Sequence, residues 1–301
     1  NIIQRKYVAG DGGILRMATQ GDPPSFDIQR DSSNVTAYPI GPAYSGLIRS
    51  DSITPDKIVP DLAESWEVSA DGTVYTFRLR KGVKWHDGKP FTSADAVYSM
   101  ERLKKMQSHV NFILEAAAAR FEAPDEFTLK VTLDHATSGF MSAMALMWAA
   151  IGPKHVIEAK GDLRRDVVGT GAYKFKSFSP GVATELVKNP EYFTKGRPYL
   201  DGITVYPIRD AASRFAGLRT KQIDLVGPLS VSHAQAKALK EGAPEARVEL
   251  VKYGYWFLFY MPVDKAPWGD VRVRRAVALA VDHQNALKLV DDGIGDVWTA
   301  T

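Results

Sequence analysis

The stretch from Trp66 to Phe91 constrains the fold more than any other part of the chain. Two runs in which apolar and polar residues alternate flank the sequence Ala70-Asp71-Gly72, and a period of two is typical of strands with one buried face. Asp and Gly tolerate positive φ, so the two runs are predicted to form a β-hairpin. A second turn is predicted at His86-Asp87-Gly88, shortly before a helix. The stretch therefore predicts a hairpin, a turn and a helix start in close succession.

Capping signals and periodicity predict the other elements. Thr92, with Asp95 three residues later, forms a variant of the capping box and marks the start of that helix. Further strands are predicted at 14–18, 127–133, 173–178, 184–188, 203–208, 223–226 and 247–251. Further helices are predicted at 38–48, 140–151, 211–220 and 232–239, and after the candidate N-caps Asp270 and Asp282. The order strand, helix, strand over 203–226 is a βαβ pattern.

Composition excludes several functions. The net charge of +3 on 301 residues is small and the basic residues are spread out, so nucleic acid is not an expected partner. The chain contains no cysteine, which removes disulfides, thiol catalysis and cysteine-ligated metals. No apolar run approaches the roughly 18–20 residues that span a bilayer, so no transmembrane segment is expected.

No sequence pattern indicates catalysis or a bound cofactor. None of the six histidines stands at a metal-ligand spacing such as H-E-x-x-H, and His86 is interpreted as a structural turn residue. The G-x-x-x-x-G-K-[ST] and G-x-S-x-G motifs are absent, and Gly169-Thr170-Gly171 is too short for a dinucleotide loop. We therefore expect no metal, no cofactor and no catalytic residue. A hydrolase with paired carboxylates stays open as an alternative, because sequence cannot place two carboxylates across a cleft.

Several motifs occur in an order that is found in a known family. They are Ile58-Val59-Pro60-Asp61-Leu62-Ala63-Glu64-Ser65-Trp66 with the hairpin stretch, Gly169-Thr170-Gly171-Ala172-Tyr173, Asn189-Pro190-Glu191-Tyr192, Gln222-Ile223-Asp224, and Asp270-Val271-Arg272-Val273-Arg274-Arg275-Ala276 with Val281-Asp282-His283. Together they resemble the extracellular solute-binding proteins of ABC importers, in the class (solute-binding protein family 5) that includes dipeptide, oligopeptide and nickel receptors. The chain departs from the family pattern at Met261-Pro262-Val263, where many members have an asparagine.

The resemblance implies an α/β, bilobal periplasmic-binding-protein-like fold of type II, cluster C, whose first lobe carries an inserted extra domain. The implied domains are domain I at 1–49 and 167–260, domain II as an insertion at 50–166, and the start of domain III, the second lobe, at 262–301. Members of this family are considerably longer. We therefore expect the second lobe to be incomplete and the chain to be a fragment, in which the apolar face of 271–290 packs on sequence that the chain lacks.

The same resemblance implies a transport receptor. Such a receptor captures a solute, most often a peptide, between two lobes that close about a hinge, and delivers it to the permease subunits of an ABC transporter through a transient contact. The implied location is the periplasm, or the outside of the membrane after removal of a signal sequence, and the implied state is a monomer. The alternatives are a hydrolase acting on peptides or glycosides and a chaperone-like exported protein on the same fold. The motifs do not specify which solute is bound.

Apart from Tyr44, the candidate ligand contacts lie in three places. The first is the loop at 20–27, because it follows a strand and open α/β sheets bind ligands at the carboxyl ends of strands. Its candidates are Gln20, Asp22, Ser25 and Phe26. The alternative interpretation is a surface loop that its prolines stiffen. Tyr44 is a further candidate, which either points into the cleft or packs in the core.

The second place is the most aromatic segment of the chain. Tyr253, Tyr255, Trp256 and Phe257 stand where the chain is expected to leave the first lobe, and aromatic rings supply both apolar area and hydrogen-bonding groups. In a strand, Trp256 faces the opposite side from the other three, so at least one face is expected to be core. The third place is Trp298, a candidate contact from the second lobe.

Overall fold

The computed structural model describes residues 12–31, 33–106, 108, 110–227, 233–242 and 260–291. This part of the chain forms a mixed α/β fold with three β-sheets. The strands are β1 (Ile14–Thr19), β2 (Ile48–Ser50), β3 (Ile58–Pro60), β4 (Ala63–Val68), β5 (Val74–Leu79), β6 (Arg120–Asp125), β7 (Thr128–Thr132), β8 (Tyr173–Ser179), β9 (Ala183–Lys188), β10 (Gly202–Pro207) and β11 (Leu225–Val226). The helices are α1 (Asn34–Ile40), α2 (Ser93–Lys105), α3 (Asn111–Ala116), α4 (Phe140–Met144), α5 (Lys154–Lys160), α6 (Ala211–Arg219), α7 (His233–Gly242), α8 (Val271–Ala280) and α9 (His283–Asp291).

The five-stranded sheet has the order β11-β1-β10-β9-β8. β1 runs parallel to both β10 and β11, while β8, β9 and β10 follow one another in antiparallel fashion. The predicted βαβ unit is confirmed as β10, α6 and β11, with β1 lying between its two parallel strands. Asp210 caps α6 by accepting a hydrogen bond of 2.7 Å from the Ser213 amide. The carboxyl ends of β1, β10 and β11 therefore meet at one edge of this sheet.

The four-stranded sheet has the order β4-β5-β7-β6 and contains the predicted hairpin. Trp66 of β4 pairs with Phe77 of β5, and Gly72 in the turn between them has a φ of +70°. The second turn is also confirmed, with Gly88 at a φ of +90°. The capping box at the start of α2 forms as predicted, because the Thr92 amide donates to the Asp95 carboxylate over 3.0 Å. α2 buries its apolar face against this sheet.

Two predicted helices differ from the structure. The helix predicted at 38–48 is wrong: α1 ends at Ile40, a 3-10 turn covers Gly41–Ala43, and Ile48 pairs with Pro60 between β2 and β3. The helix predicted at 140–151 is shorter, because α4 ends at Met144 and only a 3-10 turn, Met147–Ala149, follows. The apolar spacing in both segments reflects packing from several directions rather than one helical face. The strand predicted at 247–251 lies outside the described residues.

The sheets use different parts of the chain. The four-stranded sheet is built from residues 63–132, whereas the five-stranded sheet combines β1 with strands between 173 and 226. The domain boundaries at 1–49 with 167–260, 50–166 and 262–301 stay a prediction. Among the described helices, we find none whose length and apolar character would let it cross a membrane.

Candidate functional site

The candidate site lies along the loop that follows β1, one of the parallel strands of the five-stranded sheet. The chain leaves β1 at Thr19 and enters the loop at 20–27, and the Thr19 carbonyl accepts a hydrogen bond of 2.9 Å from the Ile208 amide after β10. Beside this loop is an open depression of about 400 Å³. Its lining residues are Pro24, Ser25, Arg30, Asp31 and Arg164.

Charges of both signs line the depression. The carboxylate of Asp31 accepts hydrogen bonds from the Ser33 amide (2.9 Å) and the Thr36 hydroxyl (2.6 Å) at the start of α1. Arg164 pairs with Asp162, with 2.8 Å between its Nε and the carboxylate. Arg30 and Arg164 are exposed. The depression therefore offers cationic and anionic groups within one small area.

The structure places three of the predicted residues along the loop. Gln20 is exposed directly after β1. Asp22 accepts a hydrogen bond of 2.8 Å from the Gly181 amide, which lies in the turn between β8 and β9, so it ties the loop to that turn. The Ser25 hydroxyl oxygen accepts a hydrogen bond of 3.1 Å from the Asp27 amide, and Ser25 lines the depression. Ligand contact by these residues stays a prediction.

Two other predicted residues lie inward. Phe26 is buried between Phe175 and Phe178, with ring centroids 5.4 Å and 5.2 Å away. Tyr44 is also buried, and its hydroxyl has no hydrogen-bond partner among the described residues. Burial, with Asp27 nearby, raises the pKa of the Tyr44 hydroxyl far above its ordinary value. Tyr44 packs in the core, as one of its two interpretations predicted, whereas Phe26 is buried although the alternative interpretation of its loop was a surface loop. Ligand contact by either residue stays a prediction.

Sequence reasoning missed a buried ion pair beneath the loop. Asp27 is fully buried, and the guanidinium of Arg102 in α2 contacts both of its carboxylate oxygens. Arg102 also donates to the Gln29 side chain over 2.5 Å. The partners are 75 residues apart, and neither Asp27 in a proline-containing loop nor Arg102 on a helix carries a local signal of this contact.

A second, partly buried arrangement surrounds His86. The Nδ1 atom accepts a hydrogen bond from the Gly169 amide (3.3 Å) and Nε2 donates to the Gly171 carbonyl (3.0 Å). Burial is the largest cause that lowers the pKa of His86, to about 4. The ring is therefore neutral near pH 7, and both of its nitrogens hold the Gly169–Gly171 segment. His86 has a structural position, as the sequence indicated.

The remaining predicted contacts are not described. Five of the predicted contact residues lie outside the described residues, namely Tyr253, Tyr255, Trp256, Phe257 and Trp298. In the described part of the chain, no group of three or more His, Cys, Asp or Glu residues could hold a metal ion.

Helix α8 lies toward the C-terminal end of the described residues and has no buried residue among them. The Leu279 side chain on this helix is 88% exposed.

Comparison with known proteins gives a consistent set of relatives. A profile of the bacterial extracellular solute-binding proteins, family 5 (middle part), matches residues 57–299. The chain is 26% identical to di/tripeptide-binding protein 2 of Pseudomonas aeruginosa, over 92% of the chain and 56% of that protein. It is 28% identical to the dipeptide-binding protein of Escherichia coli, over 93% of the chain and 56% of that protein. The chain spans about half the length of the curated relatives it matches.

A solved structure shares the fold as well. The binding protein MoaA of A. tumefaciens R10, in complex with mannopinic acid, superposes with a TM-score of 0.81 at 28% sequence identity. The match covers 94% of this chain and 58% of MoaA. These relatives are binding proteins, and their names give di- and tripeptides or mannopinic acid as the ligand.

Proposed function

The chain belongs to the bacterial extracellular solute-binding proteins of family 5, and on that premise we propose that it forms the ligand-binding part of a receptor. The receptor captures a peptide or a related small solute and delivers it to the permease of an ABC importer. Family membership and the periplasmic-binding-protein fold confirm what the sequence motifs predicted. The hydrolase and chaperone-like alternatives are not favoured, because the matched relatives are solute-binding proteins.

One observation carries the proposal. The depression beside Ser25 is lined by residues of the loop that follows β1, and open α/β sheets bind ligands in the crevice outside the carboxyl ends of their strands. A free peptide carries one positive and one negative terminus at neutral pH. The exposed Arg30 and Arg164 with the neighbouring Asp31 suit such a zwitterion, because each terminus meets an opposite charge.

The domain division and the other contacts are part of this proposal. Domain I would comprise 1–49 and 167–260, domain II 50–166, and the start of domain III 262–301. The aromatic segment with Tyr253, Tyr255, Trp256 and Phe257 would line the same cleft, and Trp298 would approach from the second lobe. The exposed apolar face of α8 would be covered by the remainder of that lobe in a protein as long as the relatives. The receptor would act as a monomer in the periplasm and without catalysis.

Binding without turnover tests the proposal. Full-length protein is freed of co-purified ligand by unfolding and refolding, and a panel of dipeptides and tripeptides is titrated by calorimetry. We expect saturable binding at one site, with every peptide recovered intact by mass spectrometry. Failure of the whole panel to bind, or hydrolysis of a bound peptide, would overturn the proposal.

A matched pair of serine variants locates the site. Ser25→Ala removes a hydroxyl from the lining of the depression, whereas Ser50→Ala removes one from the exposed end of β2. Loss of one hydrogen bond to the ligand, at about 1 kcal/mol, corresponds to roughly a five-fold weaker affinity. We expect that loss for Ser25→Ala and an unchanged affinity for Ser50→Ala. Equal affinities for both variants would exclude Ser25 as a contact.

A further inference from the structure

A buried ion pair connects the candidate ligand loop to a helix that packs on the other large sheet. Asp27 ends the loop at 20–27, and its side chain is 0% exposed, while that of Arg102 in α2 is 11% exposed. The guanidinium donates from Nη1 to Oδ1 over 3.0 Å and from Nη2 to Oδ2. Such a two-point contact fixes the direction of both side chains as well as their distance.

Other hydrogen bonds approach the loop from the same part of the chain. The Gln29 side chain, which accepts from Arg102, donates to the Ala150 carbonyl over 2.8 Å. The Leu163 amide lies 3.4 Å from the Asp27 carboxylate, and the Phe26 amide donates to the Arg164 carbonyl over 3.1 Å. The inner side of the loop is thus held by α2 and by residues 150–164.

The ion pair is better suited to fix geometry than to add stability. Removing two charges from water costs several kcal/mol per ion, and an apolar pair of similar volume is often as stable. Its position links it to the site, because the Asp27 amide donates to the Ser25 hydroxyl oxygen over 3.1 Å. A shift of Asp27 therefore moves Ser25, which lines the depression.

We propose that Arg102 is a positioning residue for ligand binding: its ion pair with Asp27 fixes the loop that carries Ser25. α2 lies within the predicted inserted domain, so that domain sets the geometry of the site although Arg102 itself does not line the depression. This inference rests on the proposed function for its effect on affinity, while its effect on the loop can be measured without any ligand.

The first test measures the loop directly. Hydrogen–deuterium exchange is followed by mass spectrometry on the full-length protein for residues 20–31 and for β5 and β7. The control is Leu103→Ala, which opens a cavity in the core on the same helix and so lowers global stability without touching the ion pair. For Arg102→Gln we expect at least ten-fold faster exchange in the loop relative to β5 and β7, and no such selective change for Leu103→Ala. If the ratio of the exchange rate in the loop to that in β5 and β7 is the same for Arg102→Gln and Leu103→Ala, the proposal is overturned.

Two further variants keep this test decisive if Arg102→Gln fails to fold. Arg102→Lys retains the charge and loses the two-point contact, so it is expected to give an intermediate increase in loop exchange. The double variant Asp27→Asn with Arg102→Gln leaves no uncompensated buried charge. It is expected to fold, and to show the selective loop exchange because an amide pair holds the loop less firmly. Loop exchange at the wild-type rate in both variants would contradict the proposal.

The second test measures affinity with Ala-Ala and Ala-Ala-Ala as probes. We expect the Kd to rise at least ten-fold for Arg102→Gln, to a smaller extent for Arg102→Lys, and less than two-fold for Leu103→Ala. A Kd within two-fold of wild type for Arg102→Gln would overturn the positioning role. If the wild type binds neither probe, the result counts against the proposed function, and the exchange measurement decides the positioning role on its own.

Discussion

The close approach of Gly171 to the segment 42–44 makes Gly171→Ala a sharp test of the fold. A Cβ atom at position 171 would lie 2.5 Å from the Pro42 carbonyl oxygen, 2.5 Å from the Ala43 carbonyl carbon and 2.7 Å from the Tyr44 amide nitrogen. All three are backbone atoms, so rotation of a side chain cannot relieve the contact. The two segments must move apart.

The cost of that separation has two parts. Forcing an extra methyl group into a packed region costs about 1–3 kcal/mol. The movement also weakens the hydrogen bond from the Gly171 amide to the Ala43 carbonyl (3.0 Å) and those that the Gly171 carbonyl accepts from His86 and Asn189 (3.0 Å each). If all three hydrogen bonds are lost, at about 1 kcal/mol each, the two parts together lower the free energy of unfolding by about 4–6 kcal/mol.

Urea denaturation followed by tryptophan fluorescence measures this decrease. Gly21→Ala is the matched control, because no atom of the described residues lies within 4 Å of a Cβ at that position. Its free energy of unfolding is expected to stay within about 0.5 kcal/mol of wild type. If Gly171→Ala lowers the free energy of unfolding by less than about 1 kcal/mol, the reasoning that the backbone at Gly171 packs rigidly against the segment 42–44 is refuted.

Two further predictions concern buried titratable groups. Burial raises the pKa of Asp61 to about 6, so the folded protein favours the neutral carboxyl group. The contribution of this group to the free energy of unfolding is fully present below its unfolded pKa near 4 and is lost as the pH rises through 6. Asp61→Asn is therefore expected to increase the free energy of unfolding by about 1–3 kcal/mol at pH 8 and little at pH 4, and equal effects in urea titrations at both pH values would contradict this. Burial lowers the pKa of His86 to about 4, so its contribution is present above its unfolded pKa near 6.5 and is lost as the pH falls toward 4. Relative to His86→Gln, the wild type is expected to lose about 2–3 kcal/mol between pH 7 and pH 4 in the same titrations, and parallel curves for the two proteins would show that the His86 ring is not held neutral by burial.

Elements with local determinants could be predicted from the sequence. The turn at Gly72 and the capping box of Thr92 with Asp95 depend on residues within four positions of one another, and both form as predicted. The helix predicted at 38–48 failed for a non-local reason. Ile48 has the spacing of a helical face, but its backbone pairs with Pro60 in a neighbouring strand. A periodic pattern of apolar residues indicates which side chains are buried, but it does not indicate which other part of the chain packs against them.

The candidate site likewise has features that could be predicted from the sequence and features that could not. The position of the loop at 20–27 could be predicted, because the order of strands places it at the carboxyl end of β1. The directions of its side chains could not, since Phe26 turns inward onto Phe175 and Phe178, which lie far away in the sequence. The contact between Asp27 and Arg102 was missed for the same reason.

The pairing of β1 with β10 has a consequence for the order in which the protein folds. The Gly13 amide beside β1 donates a hydrogen bond to the Asp201 carboxylate, 188 positions away in the sequence. The four-stranded sheet, in contrast, is complete within residues 63–132. Contacts between distant residues form more slowly, because a longer loop must close first. In pulse-labelled refolding we therefore expect amides of β5 and β7 to gain protection before those of β1, and simultaneous protection would contradict this. During synthesis, β1 leaves the ribosome before β10 and β11, and it stays without these two partner strands until residues 202–226 have followed it.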